Sequence, residues 1–220
     1  MSSLRNAADF LDLLRKRAPE VFDLATAESD EEFDNAFMPF LDRAVRHLEE
    51  NKVLFATLDE DGLSAALVGE LSIVGLLRVT QQRHSNGHVD ITIEREHSTP
   101  ALRKLGEAKI YDGIKRHVEG LTQLLKRYAT GRDSGLLIVY CQKKNIESKM
   151  QLLRDEMDAQ RPLAQQGEAA NHVLHWSFRT AHKHDSGAMV RVDHIGCNLY
   201  TGQPARPAAQ RTTPAKVTDG

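Results

Sequence analysis

The chain is short of most features that would assign it a class directly. Its 220 residues include only two cysteines, Cys141 and Cys197, in unrelated contexts. That is too few for a disulfide framework, and a reduced, cytoplasmic setting is the simplest expectation. Aromatic residues make up 5% of the chain. Trp176 and the stripe Phe33, Phe37 and Phe40 read as core rather than as a base-stacking platform. No apolar run approaches the length that spans a bilayer, and the N-terminal stretch lacks the basic-then-apolar order of a signal peptide, so no membrane role is expected. A finger, a recognition-helix pattern and a Gly-rich phosphate loop are all missing. Sequence-specific readout and nucleotide hydrolysis therefore gain no support.

What is present is an ordinary globular composition, 40% hydrophobic and 27% charged, with an uneven distribution of charge. Residues 1–70 carry 7 Lys and Arg against 16 Asp and Glu, a balance of −9. Residues 103–149 carry 11 against 5, a balance of +6. The basic segment suits either a polyanion or a plain solvated face. Helical spacing is expected over 4–17, over 29–50 behind a Ser29/Glu32 capping box, and over 59–71. The pattern then changes. Residues 75–83 and 88–95 read as a hairpin and 105–111 as a third strand. A helix over 114–128, a strand buried on both faces over 135–141 and a helix over 146–159 follow. Two further strands, 172–180 and 188–200, form a C-terminal β-hairpin. The tail is expected to be disordered. The expected division is a helical extension over 1–57, an α/β domain over 58–200 and the tail over 201–220.

The stretch LGEAKIYDG, residues 105–113, concentrates the functional question. Side chains two apart in a strand share a face, so Leu105, Glu107 and Lys109 line one side and Gly106, Ala108 and Ile110 the other. Asp90, in GHVDITIE, falls in the neighbouring strand. An Asp in one strand beside Glu-x-Lys in the next brings two carboxylates and an amine to one end of a sheet. Metal-assisted phosphodiester hydrolysis needs that set. Carboxylates bind a hard cation such as Mg²⁺, the cation neutralises phosphate charge and acidifies a bound water, and the lysine positions that water or stabilises developing charge. The competing reading is a solvated strand face.

On these residues the chain resembles the PD-(D/E)xK, or restriction-endonuclease-like, nuclease superfamily, over about residues 58–141. Val89 stands where members often have the Pro. The run GEAKIYDG…GLTQLLKRYATGRDSGLLIVY is similar to uncharacterised bacterial members. The resemblance implies an α/β fold with a mixed central sheet flanked by helices. It also implies Asp90 and Glu107 as metal ligands, Mg²⁺ (or Mn²⁺) as cofactor and Lys109 as the water-handling residue. A third carboxylate is expected on the leading helix, Glu60 first and Glu70 second. Gln123, on the following helix, is expected to orient water or phosphate, and Tyr128, five residues on, to contact nucleic acid.

Around that helix Lys115, Arg116, Lys126, Arg127 and Arg132 fit phosphate contacts, which are mostly backbone neutralisation, and equally fit a solvated face. His172, His175, His182, His184 and His194, with Cys197, lack the spacing of a zinc site and are expected to meet solvent or phosphate in a loop. His84 and His88 flank the first hairpin turn. The expected function is a metal-dependent nuclease, acting on DNA in preference to RNA, with a role in bacterial defence against foreign DNA. The alternatives are a catalytically silent binding or assembly subunit on the same fold and an RNA-directed nuclease. The acidic N-terminal helices offer a surface for a homodimer or a partner protein.

Overall fold

The computed structural model describes residues 6–55, 57–72, 75–81, 91–95, 101–128 and 134–202. Helices α1 (Ala7–Arg17), α2 (Pro19–Thr26), α3 (Asp30–Glu50), α4 (Lys52–Phe55) and α5 (Glu60–Ser72) come first. Strands β1 (Leu77–Gln81), β2 (Ile91–Arg95) and β3 (Arg103–Ile110) follow, then α6 (Ile114–Thr122), β4 (Ser134–Cys141) and α7 (Ile146–Gln160). The chain closes with β5 (Ala170–Asn171), β6 (Phe178–Lys183) and β7 (Met189–Asn198). One mixed sheet holds all seven strands in the order β1-β2-β3-β4-β7-β6-β5. β1, β2 and β3 are antiparallel neighbours, whereas β4 runs parallel to both β3 and β7.

Local chemistry explains the boundaries. Ser29 Oγ accepts the Glu32 N–H at the start of α3, while Glu32 reaches back to the Glu28 N–H at 2.7 Å. Half of the expected capping box therefore forms and the other half shifts one residue. The short helices α2 and α4 have too few turns to show a period, and the sequence pattern missed both. The expected helix over 114–128 is α-helical only to Thr122 and continues as a π-helical turn over Gln123–Tyr128.

Each sheet face has its own apolar cover. Phe33, Phe37 and Leu41 of α3 and Leu63 and Leu67 of α5 pack with Leu136, Ile138, Tyr140 and Ile195. On the other face, Leu121 of α6 and Met150, Leu153 and Met157 of α7 pack with Leu105, Leu137, Val139 and Val192. β4 is buried on both faces, as its unbroken apolar run requires. The boundary expected at residue 57 does not divide this core, because α3 and the sheet share one apolar cluster across it. The expected C-terminal hairpin is present as antiparallel β6 and β7. Its strands begin and end away from the expected limits, and β7 adds directly to β4, which puts the hairpin inside the sheet. No described helix is long and apolar enough to cross a membrane.

Candidate active site

Glu107 and Lys109 share one face of β3, as alternation requires, and both are buried. Lys109 is buried because α6 comes unusually close. A Cβ on Gly120 would lie 2.9 Å from Lys109 Cγ and 3.1 Å from Leu137 Cδ1, so only glycine lets the helix lie on the lysine stem. Gly113, at φ +86, makes the turn from β3 into α6 that an ordinary residue would resist. On the other side of β3, Asp59 Oδ1 accepts the Gly62 N–H and fixes the first turn of α5, where Glu60 stands.

Three elements meet near the carboxyl end of β3. Lys109 Nζ lies 2.5 Å from Glu107 Oε1 and 3.1 Å from Glu60 Oε1. Glu60 Oε2 accepts the Ile110 backbone N–H at 3.0 Å. Arg116 Nη2, from α6, lies 3.3 Å from each Glu60 oxygen. The lysine therefore bridges a buried carboxylate and a partly open one: the Glu107 side chain is 2% exposed and that of Glu60 25%. A cation held between two carboxylates in a desolvated setting stays only when its geometry repays the lost hydration.

The two candidates for the extra carboxylate stand in different places. Glu60 joins Lys109, whereas Glu70 lies further along α5 and pairs with His47 Nε2 at 3.3 Å. Asp90 lies outside the described residues, directly before Ile91, whose partner across the ladder is Gly106. Arg132, His84 and His88 also lie outside them, as do the side chains of Arg127 and Tyr128. Gln123 lines a cleft of about 610 Å³ with Lys115, Arg116, Thr122 and Gln160, and its buried Oε1 has no hydrogen-bond partner. Lys115 is exposed, and Lys126 faces a second, smaller cleft beside Lys183, His184 and Asp185.

Two buried polar clusters escaped the sequence reading. Lys104, on the opposite face of β3, lies 2.9 Å from both Asp34 Oδ1 and Asp193 Oδ2 and 3.2 Å from Ser134 Oγ. Burial pushes the Asp193 carboxyl up, but the Lys104 charge and the hydrogen bonds from Arg179 and Lys104 outweigh it, and the net shift is downward. The signal in the sequence was a charged residue at an inward position within each of two apolar strands, RKLGEAKI and VRVDHIGC.

The second cluster overturns the expectation of loop histidines. His117 Nε2 meets His194 Nδ1 at 2.9 Å, His194 Nε2 meets Thr180 Oγ1 at 2.7 Å, and Thr180 Oγ1 meets His182 Nε2 at 2.7 Å. His182 Nδ1 ends the chain on the Leu163 carbonyl at 3.1 Å. A carbonyl only accepts, so His182 Nδ1 carries a proton. Each link then has one direction, from His117 through His194 and Thr180 to His182. All three histidines are held neutral: burial lowers His117 to about 4 and lowers His194 and His182 as well. The His172 side chain is buried beside Asp193, whereas His175 is exposed. The two cysteines are free thiols in the core. Among the described residues no group of three or more His, Cys, Asp or Glu side chains is arranged to hold a metal ion.

Compared with protein-family models, with curated proteins and with solved structures, the chain has no match.

Proposed function

We propose that the protein is a metal-dependent nuclease whose site lies at the carboxyl end of β3. The observation that carries this reading is the convergence of Glu60, Glu107 and Lys109 from α5 and β3 beside the exposed Arg116. The element order supports it. A helix (α5), three antiparallel strands (β1 to β3), a helix (α6) and a strand parallel to β3 (β4) agree with the core that the superfamily resemblance implies.

The donor set fits a hard cation. Mg²⁺ uses one or two protein carboxylates and takes its other ligands from water and substrate phosphate, and Glu60 and Glu107 are two such carboxylates within reach of one lysine. Asp90 is proposed as a further ligand. When bound, the cation would offset phosphate charge and acidify a water. The chain's own residues do the rest. Lys109, fixed by two carboxylates and by the close approach of Gly120, presents its ammonium where charge develops on the phosphate and positions the attacking water. The water gives up a proton to solvent as its oxygen bonds to phosphorus and the bond to the departing sugar oxygen breaks, and that sugar oxygen takes up a proton from solvent. Lys115, Arg116 and Lys126 supply phosphate contacts independent of sequence. Gln123, in the cleft beside Lys115 and Arg116, is proposed to orient phosphate or water.

The fold class is α/β, with helices on both faces of a mixed sheet. The reading of DNA in preference to RNA, and of defence against foreign DNA, rests on the resemblance. The test incubates the wild type and Lys109→Ala with plasmid, linear duplex, single-stranded DNA and RNA, each with Mg²⁺, with Mn²⁺ and with chelator. Cleavage that needs metal and is lost in the variant is expected. Cleavage retained in Lys109→Ala removes this site. Binding of nucleic acid with no cleavage under any condition moves the reading to a silent binding subunit.

A further inference from the structure

The phosphate contact proposed for Arg116 does not by itself explain why its side chain sits on Glu60. That side chain is 45% exposed, and it reaches Glu60 through two contacts of 3.3 Å, at the long end for a hydrogen bond. Glu60 does not depend on it, because Lys109 at 3.1 Å and the Ile110 N–H at 3.0 Å hold the same carboxylate. Arg116 also lies 3.7 Å from Glu119, one turn along its own helix. The same residue lines the cleft formed with Lys115, Thr122 and Gln123.

Charge bookkeeping points the same way. A divalent cation bound at Glu60 would add two positive charges beside Lys109 and Arg116, the two protein cations that already hold that carboxylate. Like charges at short range in a partly desolvated site repel strongly. Of the two protein cations only Arg116 has solvent beside it: the Lys109 side chain is 7% exposed. Guanidinium also matches phosphate oxygens with two parallel donors.

We propose that Arg116 is an exchangeable counter-ion: it holds Glu60 until a divalent cation takes that carboxylate, then turns into the cleft and binds a backbone phosphate of the nucleic-acid strand. This rests on the reading of Glu60 and Glu107 as cation ligands. It makes metal and strand binding mutually supportive, since the cation frees Arg116 from Glu60 and the strand draws Arg116 away from the carboxylate that the cation needs.

The test uses Arg116→Ala, Arg116→Lys and Lys115→Ala in the full chain. Mn²⁺ affinity is measured without nucleic acid by electron paramagnetic resonance. Binding of a fluorescent single-stranded oligonucleotide is measured in Ca²⁺ at several salt concentrations. Arg116→Ala is expected to bind Mn²⁺ about fivefold more tightly, because a half-exposed competitor is gone. The same variant is expected to bind the strand about fivefold more weakly, with a salt slope shallower by about 0.7. Arg116→Lys should restore most of the slope, and Lys115→Ala should weaken strand binding without changing Mn²⁺ affinity. A residue that only supports the fold would not move the two affinities in opposite directions. Unchanged or weakened Mn²⁺ binding in Arg116→Ala, with wild type binding both ligands, overturns this inference alone. A wild type that binds neither Mn²⁺ nor the strand overturns it together with the proposed function.

Discussion

Strand β3 carries two lysines, each held by two carboxylates, on opposite faces of the same sheet. Lys104 is sealed: its side chain is 0% exposed and its partners Asp34 and Asp193 are 5% and 1% exposed, under α3. Lys109 has one buried partner, Glu107, and one opening to solvent, Glu60, which an exposed arginine also touches. The chemistry is nearly the same, and the surroundings differ. A sealed ion pair has nowhere to put a ligand and serves to join α3, β3, β4 and β7. An ion pair at a strand end beside a cleft can exchange one partner for a cation or a phosphate. Charged clusters alone therefore do not mark a site; access does.

The largest expected effect comes from breaking the sealed pair. Lys104→Met leaves Asp34 and Asp193 buried without their shared cation and should cost about 3–5 kcal/mol. Chemical denaturation measures it. A loss below about 1 kcal/mol would mean that Arg179 and Arg191, both near the same carboxylates, suffice to balance them.

Acid is expected to act next, through the histidine chain. In the unfolded chain histidine titrates near 6.5, whereas burial depresses His117 to about 4 in the folded state and lowers His194 and His182 too. Above pH 6.5 neither state binds these protons and the full stability is present. As pH falls from 6.5 toward 4 the unfolded chain takes up protons that the folded chain refuses, and stability is lost. His117 alone accounts for about 2 kcal/mol by pH 5. Denaturation midpoints at pH 7.5 and pH 5 check it, and equal stabilities would show that water reaches the chain.

The smallest stability effect, and a useful one, is Gly120→Ala. Helix propensity gains from alanine, yet its Cβ would press on Lys109 Cγ. Stability should change by about 1 kcal/mol or less, while the displaced lysine should lower cleavage by about tenfold to a hundredfold. Cleavage at the wild-type rate would show that the close approach of α6 is not what positions Lys109.

Much of this was legible in the sequence where local pattern decides. Alternation in LGEAKI put Glu107 and Lys109 on one face, and the apolar run GLLIVYC marked a strand covered on both sides. Glu60 was legible only as one of two choices, because which turn of α5 meets β3 depends on packing between distant segments. The histidines were misread for the same reason. His182 and His194 lie 12 residues apart and share Thr180 only through the register of β6 against β7. Likewise, nothing local to Lys104 announces Asp34, 70 residues earlier, as its partner.

The central claim is that the open lysine cluster on β3, not the sealed one, does chemistry. The most direct measurement compares metal-dependent cleavage per folded molecule in Glu107→Gln and Lys104→Met. Glu107→Gln keeps shape and removes charge at the open cluster, whereas Lys104→Met breaks the sealed one. The account predicts that Glu107→Gln stays folded and loses cleavage by about a hundredfold or more, while Lys104→Met loses stability and keeps its rate per folded molecule. Wild-type cleavage by folded Glu107→Gln would contradict it.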